Sequence, residues 1–197
     1  MAAGAGDGKG STGHGTAGVP RYTAVVRAAK SAVLASVALF CLLVVFGNVT
    51  DYAVNFEFVA RVLSMDAHDE GLDELSRTDY RAVTAPLLHH AAYIAIIAAE
   101  LFTAVACGTG AWRTGRRLRA PDGDFDAAKT WGVVGLLAGI LLWFTGFQTI
   151  GGEWFAMWMS PAWNGIPAAD RLTTYLMLAL VFLTLRNDRA EPAGQTA

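Results

Sequence analysis

Four long apolar runs, at about 29–49, 86–108, 130–150 and 167–185, alternate with shorter polar stretches along the chain. At ~1.5 Å of rise per residue, each run is long enough as a helix to cross a hydrocarbon core of ~30 Å. Within lipid every backbone N–H and C=O must be bonded inside the segment, so the pattern predicts an all-α fold, a four-span transmembrane helix bundle. The first run, "AKSAVLASVALFCLLVVFGNV", has Arg21, Arg27 and Lys30 at its start and so resembles a secretory signal. Its apolar stretch is too long for one, and no small-x-small cleavage site follows, so it is read as an uncleaved span.

Between the first two runs, "DYAVNFEFVARVLSMD" places Tyr52, Phe56, Val59 and Leu63 at helical spacing with Glu57 and Arg61 on other faces. This predicts an amphipathic helix lying on the bilayer or capping the bundle. The acidic stretch that follows, "DAHDEGLDELSRTDYR", reads as a solvated loop. Asp66, His68, Glu70 and Gly71 match the start of a calcium loop, but Arg77 stands where the closing bidentate Glu is needed. A looser divalent site on Asp66, His68 and Asp69 is the remaining metal candidate, and no metal is expected.

Charge sets the orientation. Eleven of the fifteen Lys and Arg residues lie in the N-terminal tail, the loop near residues 113–129 and the C-terminal end. By the positive-inside rule both termini face the cytoplasm, and the 50–85 loop with the 151–166 turn forms an extracytoplasmic cap. The expected organisation is a disordered tail over 1–28, a membrane domain over 29–187 and a short cytoplasmic tail over 188–197. Composition agrees, with 54% hydrophobic and only 16% charged residues.

"GNVTDYAVNFEFVARVLSMD" after the first span and "GGEWFAMWMSPAWNG" between the third and fourth resemble the pattern of a bacterial family described as predicted small integral membrane proteins, a domain of unknown function. The resemblance covers roughly residues 31–187. It implies a four-span protein of the cytoplasmic membrane, and brings no catalytic or binding residue with it.

The second span carries the candidate chemistry. His89, Tyr93, Ile96, Glu100, Thr103 and Cys107 follow a 4-3-4-3-4 spacing and form one stripe, which should face into the bundle. Glu100 falls near the bilayer midplane, where a carboxylate is costly and must be neutral or bonded to a neighbour. His89 and His90 sit at the outer rim. A bundle haem needs a facing ligand at matched depth, and no other span contains His, so an interfacial hydrogen-bonded pair is expected instead.

In "GGEWFAMWMSPAWNG", Trp154, Trp158 and Trp163 suit an interfacial aromatic cap, with Trp154 and Trp158 one helical turn apart. Glu153 is expected either to pair with Arg171 or to face a cavity above Glu100. Gly135 and Gly139, spaced G-x-x-x-G, predict close helix packing within the bundle. Asn48-Val49-Thr50 matches the glycosylation tripeptide but abuts the membrane edge and is set aside. The arginines of "GTGAWRTGRRLR" read as topology determinants that also attract anionic lipid heads. Cys41, roughly 18 Å along its span, and Cys107, at the far end of the next, are placed at different depths and left unpaired.

No Ser-His-Asp set, H-E-x-x-H, C-x-x-C or paired-carboxylate spacing occurs, so the reading leans away from an enzyme. The expected function is a non-enzymatic accessory, scaffolding or binding protein. Its partners would be the lipid bilayer and a membrane protein or a second copy, with no nucleic acid. The rival is a ligand-handling protein with a quinone, lipid or small cation in a cavity around Glu100, roofed by Trp154, Trp158 and Trp163. A haem-binding redox subunit is the third reading.

Overall fold

The computed structural model describes residues 19, 21–66, 68, 70–73 and 77–186. The chain runs through α1 (Arg21–Thr50), α2 (Tyr52–Ser64), the single turn α3 (Glu70–Asp73), a 3-10 turn at Asp79–Arg81, then α4 (Pro86–Gly115) and α5 (Asp122–Ala128). It continues through α6 (Thr130–Ile140), a π-helix (Leu141–Trp154), a second 3-10 turn at Met157–Met159 and α7 (Ile166–Thr184). No strand occurs among the described residues. Four segments are long and apolar enough to cross a membrane: α1, α4, the continuous run Asp122–Trp154, and α7. Large side chains such as Leu43, Phe46, Ile94, Val105 and Leu178 project from them and make an apolar exterior suited to lipid.

Most of the expected tails, 1–18 with residue 20 and 188–197, lies outside the described residues. Residues 21–28, expected to belong to the first tail, are instead the opening turns of α1. They fold because their charges find partners. Arg27 is 1% exposed; it donates to the carbonyls of Leu118 (3.3 Å) and Ala120 (2.7 Å) and to the Asp122 carboxylate (2.5 Å), and lies over the Phe125 ring. Lys30, equally buried, donates to the Leu185 carbonyl at 2.7 Å. A buried charge is tolerated only when bonded in this way. These bonds also place the start of α1, the α4–α5 connection and the end of α7 at one end of the bundle.

α4 is the central helix, packed between α1 and α6. Its contact with α6 is built on glycine. A Cβ at Gly110 would stand 2.5 Å from the backbone nitrogen of Gly132, and one at Gly135 would stand 2.7 Å from the nitrogen and sulfur of Cys107. One at Gly139 would meet Leu176 at 2.8 Å and Thr103 at 3.2 Å. The G-x-x-x-G pair therefore serves packing within the chain. The depth argument that separated the two cysteines fails, because α1 and α4 extend beyond their apolar runs and Ala38 already lies level with Gly108. Cys41 and Cys107 share one core and are both buried and free.

The third span departs from an ordinary α-helix after Ile140. Phe155 N donates to the Ile150 carbonyl at 3.0 Å and the Thr149 hydroxyl to that of Phe144 at 3.1 Å, both spanning five residues. Such i→i+5 winding is rare and seldom exceeds one turn, yet here it runs from Leu141 to Trp154. It ends where Ala156 takes a left-handed conformation, φ 49°. At this end of the bundle the two connections share a small second core of Met65, Phe155, Ala156 and Met159, and Val83 N bonds the Leu63 carbonyl.

Candidate functional site

α2 forms as its periodicity predicts and turns Val59 fully, Tyr52, Phe56 and Leu63 partly, away from solvent. On its outer face Arg61 pairs with Glu57 at 2.7 Å and Asp66 at 3.1 Å. The hydrogen bond Arg61 donates to Glu57 and the charge of Asp66 raise the Arg61 guanidinium above its ordinary range. Of the proposed divalent set, Asp66 is thus engaged with Arg61, and Asp69 lies outside the described residues. No cluster of three metal-ligating side chains occurs among the described residues.

Beneath α2 lies a cavity of about 240 Å³. Phe58, Val59, Val62 and Leu63 close it from α2, Ala92 and Ile96 from α4, and Phe155 and Met157 from the following connection. Its floor is the π-helix: Leu142, Gly146, Phe147, Ile150 and Gly151 line it, a spacing of four and five that an i→i+5 helix brings to one face. Every lining residue is apolar or glycine. The cavity is not sealed, since Ile150 is 48% exposed.

The sequence-predicted residues are distributed differently from expectation. The inward stripe of α4 is real, with His89, Tyr93, Glu100, Thr103 and Cys107 all buried and Ile96 turned to the cavity. Glu100, however, does not line the cavity. Its Oε2 accepts a 2.7 Å hydrogen bond from the Asn48 side chain of α1, and the Tyr93 hydroxyl donates to the Asn48 carbonyl at 2.9 Å. Asn48 is the residue the sequence reading missed; its signal is a single amide in an otherwise apolar span, and depth counting hid it by putting Asn48 at the membrane edge and Glu100 near the midplane, whereas their bond sets the two side by side.

His89 Nε2 lies 2.5 Å from the Val83 carbonyl, and His90 Nδ1 lies 2.8 Å from the Tyr52 hydroxyl. The His90 ring stacks on Phe56 at 4.1 Å between centroids. The two histidines thus take different partners, tying the 82–85 connection and α2 respectively to the head of α4.

The aromatic turn is also rearranged. Trp154 ends the π-helix and Trp158 sits in the 3-10 turn beyond Ala156, so no common helix gives them a shared face. They are 52% and 53% exposed, whereas Met157 and Met159 are buried. Trp163 packs against Phe58 at 6.2 Å. The expected roof of three tryptophans is therefore replaced by α2, Phe155 and Met157. Arg81 lies over Trp154 at 5.1 Å and reaches the carbonyls of Glu153 and Trp154 at 3.5 and 3.4 Å.

Glu153 does not pair with Arg171. Its carboxylate borders an open depression with Thr149, Ile150, Trp154 and Phe155, while Arg171 lines a groove between α1 and α7. Neither faces Glu100. Between them the π-helix meets α7 through Gly152 against Ile166 and through the Gln148 side chain, which donates to the Thr173 hydroxyl at 3.0 Å.

Four apolar helices with a lipid-compatible exterior and a glycine-packed core define a polytopic α-helical integral membrane protein. More narrowly, the chain belongs to the family described as predicted small integral membrane protein (DUF2165), whose model matches residues 26–186. No curated protein and no solved structure matches the chain.

Proposed function

We propose that the protein is a non-catalytic component of the cytoplasmic membrane, termini inward, that binds the hydrocarbon chain of a bilayer lipid in the cavity between α2 and the π-helix. The observation that carries this reading is the lining itself: thirteen residues from four elements, none with a polar side chain. At about 240 Å³ the cavity is smaller than the ~300–1,000 Å³ of most small-molecule sites, and its half-open form suits a chain segment. A small cation finds no ligand there, and a quinone ring finds no hydrogen-bond partner for its carbonyls. A haem is not part of the reading either, since His89 and His90 are already engaged. Binding ranks ahead of scaffolding because an apolar exterior is common to every bundle, whereas this cavity depends on a long π-helix.

The test is photolabelling with a phospholipid carrying a diazirine in one acyl chain, in proteoliposomes, with the labelled peptides read by mass spectrometry. Label is expected on α2 and the π-helix. Gly146→Leu fills the cavity from its floor, where a Cβ would meet nothing closer than Leu142 at 3.8 Å. This variant should fold and lose the label. Equal labelling of the filled variant at these positions refutes the reading.

A further inference from the structure

The groove that holds Arg171 differs in chemistry from the cavity under α2. It runs between α1 and α7 with a volume of about 380 Å³, walled by Phe40 and Trp143 and bordered by Ser36, Tyr175 and Arg171. Phe40 and Trp143 stand 6.4 Å apart between ring centroids and form an aromatic floor. Arg171 is exposed within it, and no ion pair joins it to Asp170, Glu153 or any other described carboxylate. The Tyr175 hydroxyl, one turn along the same face of α7, is likewise without a hydrogen bond among the described residues.

Depth decides what such a cation meets. Arg171 is the sixth residue of α7, so it lies about 7.5 Å below the helix start along the axis. A guanidinium at that level of a span is costly unless it is matched by an anion or reaches the interface. Because α7 is 19 residues long and so about as long as the hydrocarbon core it crosses, this level lies inside the core; the guanidinium meets a lipid phosphate by reaching outward along its apolar stem, and the groove continues from it toward the bilayer centre along largely apolar walls. Guanidinium and phosphate match in a bidentate geometry, and a Tyr hydroxyl beside them supplies a further donor.

We propose that the α1–α7 groove is a phospholipid site in which Arg171 and Tyr175 hold the phosphodiester of a bilayer lipid and one acyl chain lies over Phe40 and Trp143. It is separate from the cavity under α2. That cavity selects for hydrocarbon alone, so the two sites fail or survive independently.

The test is native mass spectrometry of the full chain in mild detergent, titrated with dioleoylphosphatidylglycerol and, in parallel, with dioleoylglycerol, which lacks the phosphate. The wild type should retain the phospholipid and not the diacylglycerol. Arg171→Gln should weaken phospholipid binding about tenfold or more, since a charge-assisted pair is removed. Millimolar inorganic phosphate should leave the lipid bound; displacement of the lipid by phosphate alone would show a site for free anions and overturn the lipid assignment. Equal retention of the two lipids, or unchanged binding in Arg171→Gln, also overturns it. If Arg171→Gln does not assemble, Arg171→Lys decides: it keeps the charge but loses the planar fork, so binding weakens, and undiminished binding counts against the proposal.

Discussion

Replacing single glycines by alanine along the α4–α6 seam gives a graded test of how closely these helices approach. Each substitution adds one methyl group, so the environment of that methyl alone sets the order. At Gly110 it would lie 2.5 Å from the nitrogen and 2.7 Å from the Cα of Gly132, and at Gly135 it would lie 2.7 Å from the Cys107 nitrogen and sulfur. Backbone cannot turn aside as a side chain can, so the helices must separate. Overpacking costs typically ~1–3 kcal/mol, while alanine returns up to ~1 kcal/mol of helix propensity. Contact with rigid backbone puts both clashes at the upper end of the overpacking range, so a net loss of about 2 kcal/mol is expected for each. At Gly139 the nearest atom is the end of the Leu176 side chain, at 2.8 Å, which can rotate, so the net loss is about 1 kcal/mol or less. At Gly146 nothing approaches closer than 3.8 Å, and the substitution should be neutral or stabilising by up to ~1 kcal/mol. Equilibrium unfolding in mixed micelles, titrated with sodium dodecyl sulfate and followed by circular dichroism, reads the four values on one scale. Equal losses at Gly135 and Gly146, or a reversed order, would refute the close approach of α4 and α6.

Asn48→Ala removes the donor to Glu100 and should cost about 0.5–2 kcal/mol in the same unfolding assay, whereas Glu100→Gln leaves a carbonyl to accept from Asn48 and should stay within about 0.5 kcal/mol of wild type. Failure of Glu100→Gln to assemble would show instead that the bundle needs a negative charge there. Arg27→Met unfastens the α4–α5 connection; because Asp122 is 32% exposed, the loss should be roughly 1–3 kcal/mol, below that of a fully buried pair. Limited trypsinolysis at Arg116, Arg117 and Arg119 should accelerate with it, and an unchanged rate would refute the latch. For sidedness, Cys41 and Cys107 are buried, so a membrane-impermeant maleimide should leave the wild type unlabelled. Trp158→Cys should label in intact cells and Arg119→Cys only after lysis; the opposite pattern reverses the orientation.

The spans were legible because hydropathy over some twenty residues is indifferent to local detail, and the inward face of α4 because polar residues at 4-3 spacing on an apolar helix have one place to go. The π-helix was not legible, since "LLWFTGFQTIGGEW" has the composition of any aromatic-rich span and nothing in it distinguishes i→i+5 from i→i+4 bonding. Nor was its ending legible: the left-handed Ala156 and the 3-10 turn after it set Met157 inward and Trp158 outward, and Glu153 and Arg171 border separate depressions. Asn48 was obscured by a tripeptide that drew attention to its sequence neighbours rather than to Glu100 across the helix pair. Arg27 and Lys30 were counted as charges that set topology, and a count cannot show that they are buried and bonded to carbonyls of distant segments.

The two ends of the bundle differ in whether buried cations fasten them. At the basic end, Arg27, Lys30 and the Ser31–Thr114 hydroxyl pair at 2.8 Å tie α1 to the connection after α4, to α7 and to α4 itself by directional bonds. Seams held this way have defined geometry. At the other end single bonds such as His89 to the Val83 carbonyl and His90 to the Tyr52 hydroxyl sit among softer contacts, Tyr52 and Phe56 on His90, Phe58 on Trp163, and methionines beneath a left-handed alanine, and no buried Arg or Lys fastens the described residues there. Methionine and aromatic contacts tolerate repacking far better than bonded charges do. The cavity under α2 and the depression bordered by Glu153 both occur at this end, beside the π-helix, and the Arg171 groove opens from the same half of α7. The proposed lipid sites therefore fall where the π-helix widens the bundle and the contacts are most easily repacked, and not where Arg27 and Lys30 fasten it.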